Sequence, residues 1–92
     1  MVIACEVECM FYDGHSLKEK RSLLKSVITN LQNKLNVAVA ELDYQDLWQR
    51  TKLGIVTISA DKVLAEKVIQ QALELLDTYS ELERTITHVE RL

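Results

Sequence analysis

The 92-residue chain contains no proline and only two glycines. It therefore has no composition suited to a flexible linker or a low-complexity segment, and residues 1–92 are expected to form one small domain. Self-similarity of the period found in helical arrays is missing. No apolar run exceeds a few residues, far short of the roughly 20 that span a bilayer as a helix, so no membrane contact is expected. The opening "MVIACEVEC" lacks a basic start and carries glutamates in its interior. It does not read as a secretory signal, and a cytoplasmic location is expected. Cysteine is limited to Cys5 and Cys9. Four residues apart on a strand, they stand about 13 Å from one another. That is beyond the roughly 7 Å a disulfide tolerates and too far for both thiols to share one metal ion. Both read as buried thiols.

Nothing here has the spacing of a metal site, so no metal and no cofactor are expected. His15 and His88 are the only histidines. No phosphate-binding loop or dinucleotide fingerprint occurs. Neither Ser16 nor Cys9 has an evident base and orienting partner. No catalytic residue is assigned, and the residues lean against an enzyme.

Charge is present but uneven. The total is −3, which does not suit a general polyanion binder, and DNA is not expected as a partner. Yet His15 to Leu35 holds Lys18, Lys20, Arg21, Lys25 and Lys34 against Glu19, a net of +4, leaving −7 for the remainder.

The pattern along the chain predicts six elements. Ile3, Cys5, Val7, Cys9 and Phe11 alternate with Ala4, Glu6, Glu8 and Met10, as on a half-buried strand. Asp13-Gly14 breaks that strand. Ser16-x-x-Glu19 is a capping box that opens a helix from Leu17 to about Lys34, with Asn36 suited to its end. "VAVAEL", residues 37–42, reads as a second strand, "DYQDLWQRTK" as a hairpin loop, and Leu53–Ser59 as a central third strand. Ser59 or Asp61 caps a second helix with a stripe of Leu64, Ala65, Val68, Ala72, Leu75, Leu76 and Tyr79. "LERTITHVERL" makes a last strand. Two amphipathic helices need one sheet to cover, and right-handed crossovers then lead to a ferredoxin-like βαββαβ sandwich. Its expected strand order is 4-1-3-2, antiparallel throughout, with both helices on one face.

In that topology the start of the first helix and the loop Asp43–Lys52 share one sheet edge. Lys20 and Arg21 flank the apolar stripe there, within about 60° of Leu17 and Leu24. The loop supplies Asp43, Tyr44, Asp46, Trp48 and Arg50. One reading is a structural brace: Asp43 or Asp46 pairs with Lys20 or Arg21, Trp48 covers the core, and Lys18 and Lys25 are solvated. The other is an anion or RNA site made by His15, Ser16, Lys18, Lys20, Arg21, Trp48 and Arg50, using the helix N-terminus, charge-assisted contacts and ring stacking. On the uncovered sheet face, Glu6 and Glu8 oppose the stacking mode of RNA-recognition sheets. Ala38 and Ala40, if they share that face rather than the covered one, leave a flat patch suited to a homodimer.

"HSLKEKRSLLKS", "VAVAELDYQDLWQR" and "LGIVTIS" together resemble the YlxP-like family, small bacterial proteins of unassigned function. The resemblance covers nearly the whole chain. The recurring positions of the family correspond to His15, Ser16, Leu17, Lys18, Lys20, Arg21, Glu41, Asp46, Trp48 and Arg50, while Tyr44 stands where a variable residue, often histidine, is expected. The resemblance implies a ferredoxin-like fold. It also implies genes beside those of a translation initiation factor and a ribosome-binding factor, and it implies no catalytic residues. The expected function is thus a non-catalytic binding module for RNA or the ribosome. A structural homodimer is the alternative, and a small phosphate- or acyl-substrate enzyme, on fold analogy with acylphosphatase, ranks last.

Overall fold

The computed structural model describes residues 1–12 and 16–92. The turn expected at Asp13-Gly14 and the histidine His15 lie outside the described residues. The elements are β1 (Val2–Phe11), α1 (Leu17–Lys34), β2 (Ala38–Asp43), β3 (Arg50–Ile58), α2 (Lys62–Asp77) and β4 (Leu82–Arg91). The strands form one sheet in the order β2-β3-β1-β4, with every neighbouring pair antiparallel. This is the expected 4-1-3-2 order read from the other edge, a ferredoxin-like α+β arrangement.

Alternation decides which face of the sheet is covered. Ile3, Cys5, Val7, Cys9 and Phe11 of β1 are buried, together with Leu53 and Ile55 of β3. They meet Leu24, Val27 and Leu31 of α1 and Ala65, Ile69, Ala72, Leu73 and Leu76 of α2 in one core. Each buried Val, Leu, Ile or Phe side chain among them contributes about 1.5–3 kcal/mol through burial. The stripe on α2 is narrower at its start than the spacing suggests, because Leu64 remains 52% exposed.

The helix starts follow from side-chain oxygens that accept backbone N–H groups. Ser16 Oγ accepts from Glu19 N at 3.2 Å. For α2, Asp61 rather than Ser59 is the cap, its Oδ1 accepting from Val63 N at 2.9 Å. Helix α1 is capped at its C-terminus by Leu35, which turns extended, so Asn36 lies beyond the cap and donates from Nδ2 to Ile58 O at 3.3 Å.

Strand β3 begins at Arg50, three residues before the expected Leu53. "RTK" looks like loop because it is polar, but it alternates. Thr51 is fully buried on the helix-covered face. Arg50 and Lys52 point to the open face, where Glu8 and Glu6 meet them at 2.6 and 3.6 Å. Pairing with Cys9 and Glu8 of β1 extends the strand and shortens the connection from β2 to residues 44–49.

Cys5 and Cys9 are each 1% exposed. Burial raises both thiol pKa values, that of Cys9 to about 11, outweighing the lowering effect of Arg84. At pH 8 the folded chain should leave both thiols unreacted towards Ellman's reagent, and urea should release two. Rapid labelling of either thiol without denaturant contradicts this packing.

Candidate functional site

At 100° per residue the cations of α1 divide into two sets. Lys20 lies in the middle of the buried stripe, between the directions of Val27 and Leu31, and is only 2% exposed. Lys18, Arg21 and Lys25 recur at three- and four-residue spacing on the outer side and are exposed. The flanking position inferred for both Lys20 and Arg21 therefore needs correction: only Lys20 turns inward.

Lys20 reaches the connection between β2 and β3. Its Nζ donates to Tyr44 O at 2.6 Å and to Leu47 O at 2.5 Å. It also pairs with Glu41 Oε2 at 3.0 Å. An ammonium has three N–H donors, and these three acceptors use them. Lys20 has no donor left for an external anion, so its place among the anion-binding candidates is withdrawn. The Glu41 oxygen additionally accepts from the buried Thr51 hydroxyl at 2.6 Å. A buried charge needs such a partner set, because stripping its water costs several kcal/mol.

The brace therefore exists, but its carboxylate is Glu41 on β2, not Asp43 or Asp46 in the loop. Asp43 Oδ1 instead accepts from Tyr44 N at 2.7 Å. Asp46 is exposed. The signal was present in the alternation. Val37, Val39 and Glu41 share the covered face, and a carboxylate placed there requires a cation from the helix above it. Period two places Glu41; only the register of α1 over β2 shows that Lys20 is the cation within reach.

Tyr44 is held in the left-handed region at φ 64°. For a residue with a side chain this costs about 1–2 kcal/mol. Four contacts over-determine it. The Tyr44 carbonyl accepts from Leu47 N at 3.0 Å as well as from Lys20. The Arg50 guanidinium lies 4.2 Å from the centroid of the Tyr44 ring. Arg50 Nη2 donates to the Tyr44 hydroxyl at 3.2 Å and to Glu8 Oε1 at 2.6 Å.

Arg50 thus works on the open face of the sheet, on the side away from α1, and does not join the helix edge. Ser16 is engaged as the cap of α1. Trp48 is half-buried. Of the sequence-nominated cations, Lys18 and Arg21 are brought together at the surface, and Lys25 joins them. None of these three has an ion pair among the described residues, whereas Lys20, Arg50, Lys52, Arg84 and Arg91 are all paired. Beside the stripe runs a groove of about 340 Å³ between α1 and β2, lined by Arg21, Leu24, Lys25, Ile28, Thr29 and Glu41.

The family model described as "Protein of unknown function (DUF503)" matches residues 2–89. "Uncharacterized protein YlxP" of Bacillus subtilis (strain 168) is 49% identical over 90 residues, covering 98% of each chain. Among solved structures, a mutant of SnoaB, a cofactor-independent oxygenase from Streptomyces nogalater, superposes with a TM-score of 0.58 at 9% identity, over 99% of this chain and 92% of that one. A C-terminal segment of the alpha subunit of aIF2 from Pyrococcus abyssi gives 0.54 at 18% identity, over all of this chain and 50% of that one. Both structures share the fold.

Lys20→Met should cost about 3 kcal/mol, because it strands Glu41 and two loop carbonyls. Arg21→Ala, one residue away, should stay within about 0.5 kcal/mol. Urea unfolding followed by far-UV circular dichroism checks both. Equal effects of the two substitutions contradict the division of α1 into inner and outer cations.

Proposed function

The chain belongs to the DUF503 family, and on that premise we propose that it is a non-catalytic binding module that grips the phosphate backbone of RNA, on the ribosome, with the outer face of α1. The observation that carries this reading is the stripe of Lys18, Arg21 and Lys25, exposed and without an ion pair among the described residues. Along that line Ser22, Thr29 and Gln32 are the other residues, and no carboxylate interrupts it. Glu19 points about 100° away from Lys18.

A free cation in an acidic protein has a simple use. Phosphate contacts release counterions and give affinity without reading sequence. The net charge of −3 limits attraction at long range, and the glutamates of the open face turn that side away from a polyanion. The molecule therefore approaches RNA with α1 forward. Arg21 and Lys25 also rim the groove against β2, which allows a backbone to be followed along the helix rather than touched at one point. The gene neighbourhood implied by the family resemblance supports the ribosome as the carrier of that RNA. Lys20 takes no part in binding; it holds the surface from beneath.

The combined substitution Lys18→Ala, Arg21→Ala and Lys25→Ala should abolish co-sedimentation with ribosomes at low salt. On single-stranded RNA it should lower the slope of log affinity against log salt by about 2, at about 0.7 per contact. Far-UV circular dichroism should be unchanged, since all three residues are exposed. Ribosome binding equal to wild type at every salt concentration sinks the reading.

A further inference from the structure

On the face of the sheet that no helix covers, we propose that a second copy of this chain docks, forming a homodimer of stacked sheets. The register defines the surface. Ala38, Val56, Ala4 and Glu90 lie in one row across the four strands, and Ala40, Gly54, Glu6 and His88 in the next. The β2–β3 half of both rows is uncharged and made of small residues. Leu42 lies down over Gly54: a Cβ at position 54 would stand 2.8 Å from Leu42 Cδ1. The glycine is what lets the leucine lie flat, yet Leu42 is still 47% exposed. Val56 is 37% exposed and Ile58 64% exposed on the same face.

Three observations favour a second copy as the occupant. The first is shape. Ala4, Ala40, Gly54, Leu42, Val56 and His88 line a trough of about 490 Å³. Ile58, at the end of the same face, is an exposed apolar knob. A two-fold interface brings one patch against itself, so a patch carrying both a trough and a knob suits it. The second is charge. Glu6 and Glu8 are already paired with Lys52 and Arg50 on this face, so stacking strands neither pair, and no excess positive charge invites a nucleic acid. The third is size. Four strands about 4.8 Å apart, with about 3.3 Å per residue along them, bury on the order of 1,000 Å² when two such faces stack. That is about the smallest area expected of a specific interface. Stacking leaves α1 of each copy on the outside, so this inference does not depend on the RNA reading and fails or stands separately from it.

Light scattering on a sizing column, from micromolar to several hundred micromolar chain, tests the proposal. Wild type should run at twice the chain mass at the upper end. Val56→Glu and, independently, Ala40→Glu should run at the chain mass there, with unchanged far-UV circular dichroism. Leu64→Glu, on α2, should remain dimeric. The melting temperature of wild type should rise with concentration and that of Val56→Glu should not. A wild-type chain monomeric throughout overturns the proposal. So does a dimer indifferent to both sheet-face substitutions, which places the contact elsewhere. Loss of ribosome binding in Val56→Glu, with wild type monomeric, also overturns it and assigns the face to the ribosome.

Discussion

One buried ammonium ties together the parts of this molecule that differ from a plain helix-on-sheet sandwich. Lys20 leaves α1 on its inner side, passes into the core margin and ends on Glu41 of β2 and on the carbonyls of Tyr44 and Leu47. A charge there is tolerable only with all its donors satisfied. The arrangement therefore ties the helix, the edge strand and the connection to β3 into one geometry. Tyr44 is gripped twice: its carbonyl from the helix side by Lys20, its ring and hydroxyl from the open side by Arg50. Arg50 in turn rests on Glu8 of β1. A polar chain thus runs from the helix layer, around the sheet edge, to the opposite face. It explains how a loop with neither proline nor glycine holds a left-handed residue.

That use of Lys20 separates structure from surface within a single helix. Neighbouring cations on α1 differ by where 100° per residue sends them. Lys20 is spent inside, while Lys18, Arg21 and Lys25 remain outside. Charge clustering in the sequence is therefore a poor guide to binding until the buried member has been removed from the count. Once it has, what remains is a continuous stripe rather than a pocket. A stripe suits an extended polyanion better than a small anion. The open face has the opposite character, apolar and shallowly hollowed towards β2, acidic but internally paired towards β1. Two surfaces with such different chemistry suit two different contacts.

Much of the fold was legible because it rests on periodicity. The alternation of β1, the Ser16 cap and the leucine spacing of α1 each identify an element without reference to any other. Strand order follows from connection handedness. The less legible features depend on contacts between elements. The early start of β3 is hidden because Thr51 is buried by its hydroxyl bond to Glu41, which no propensity encodes. The identity of the brace carboxylate depends on the register of α1 over β2. The placement of Arg50 on the open face depends on that same strand start, since assigning it to a loop leaves its direction undefined. Family resemblance marked Glu41 as a recurring position but gave it no role; its geometry supplies one.

The most direct test of this account is competitive acetylation of the native chain, followed by mass spectrometry of each lysine. Lys18 and Lys25 should react among the first, and Lys20 last, at a rate limited by unfolding and rising steeply in urea. Modification of Lys20 at the rate of Lys18 in the native protein contradicts the buried brace, and with it the division of α1 on which both the fold's edge and the proposed binding surface depend.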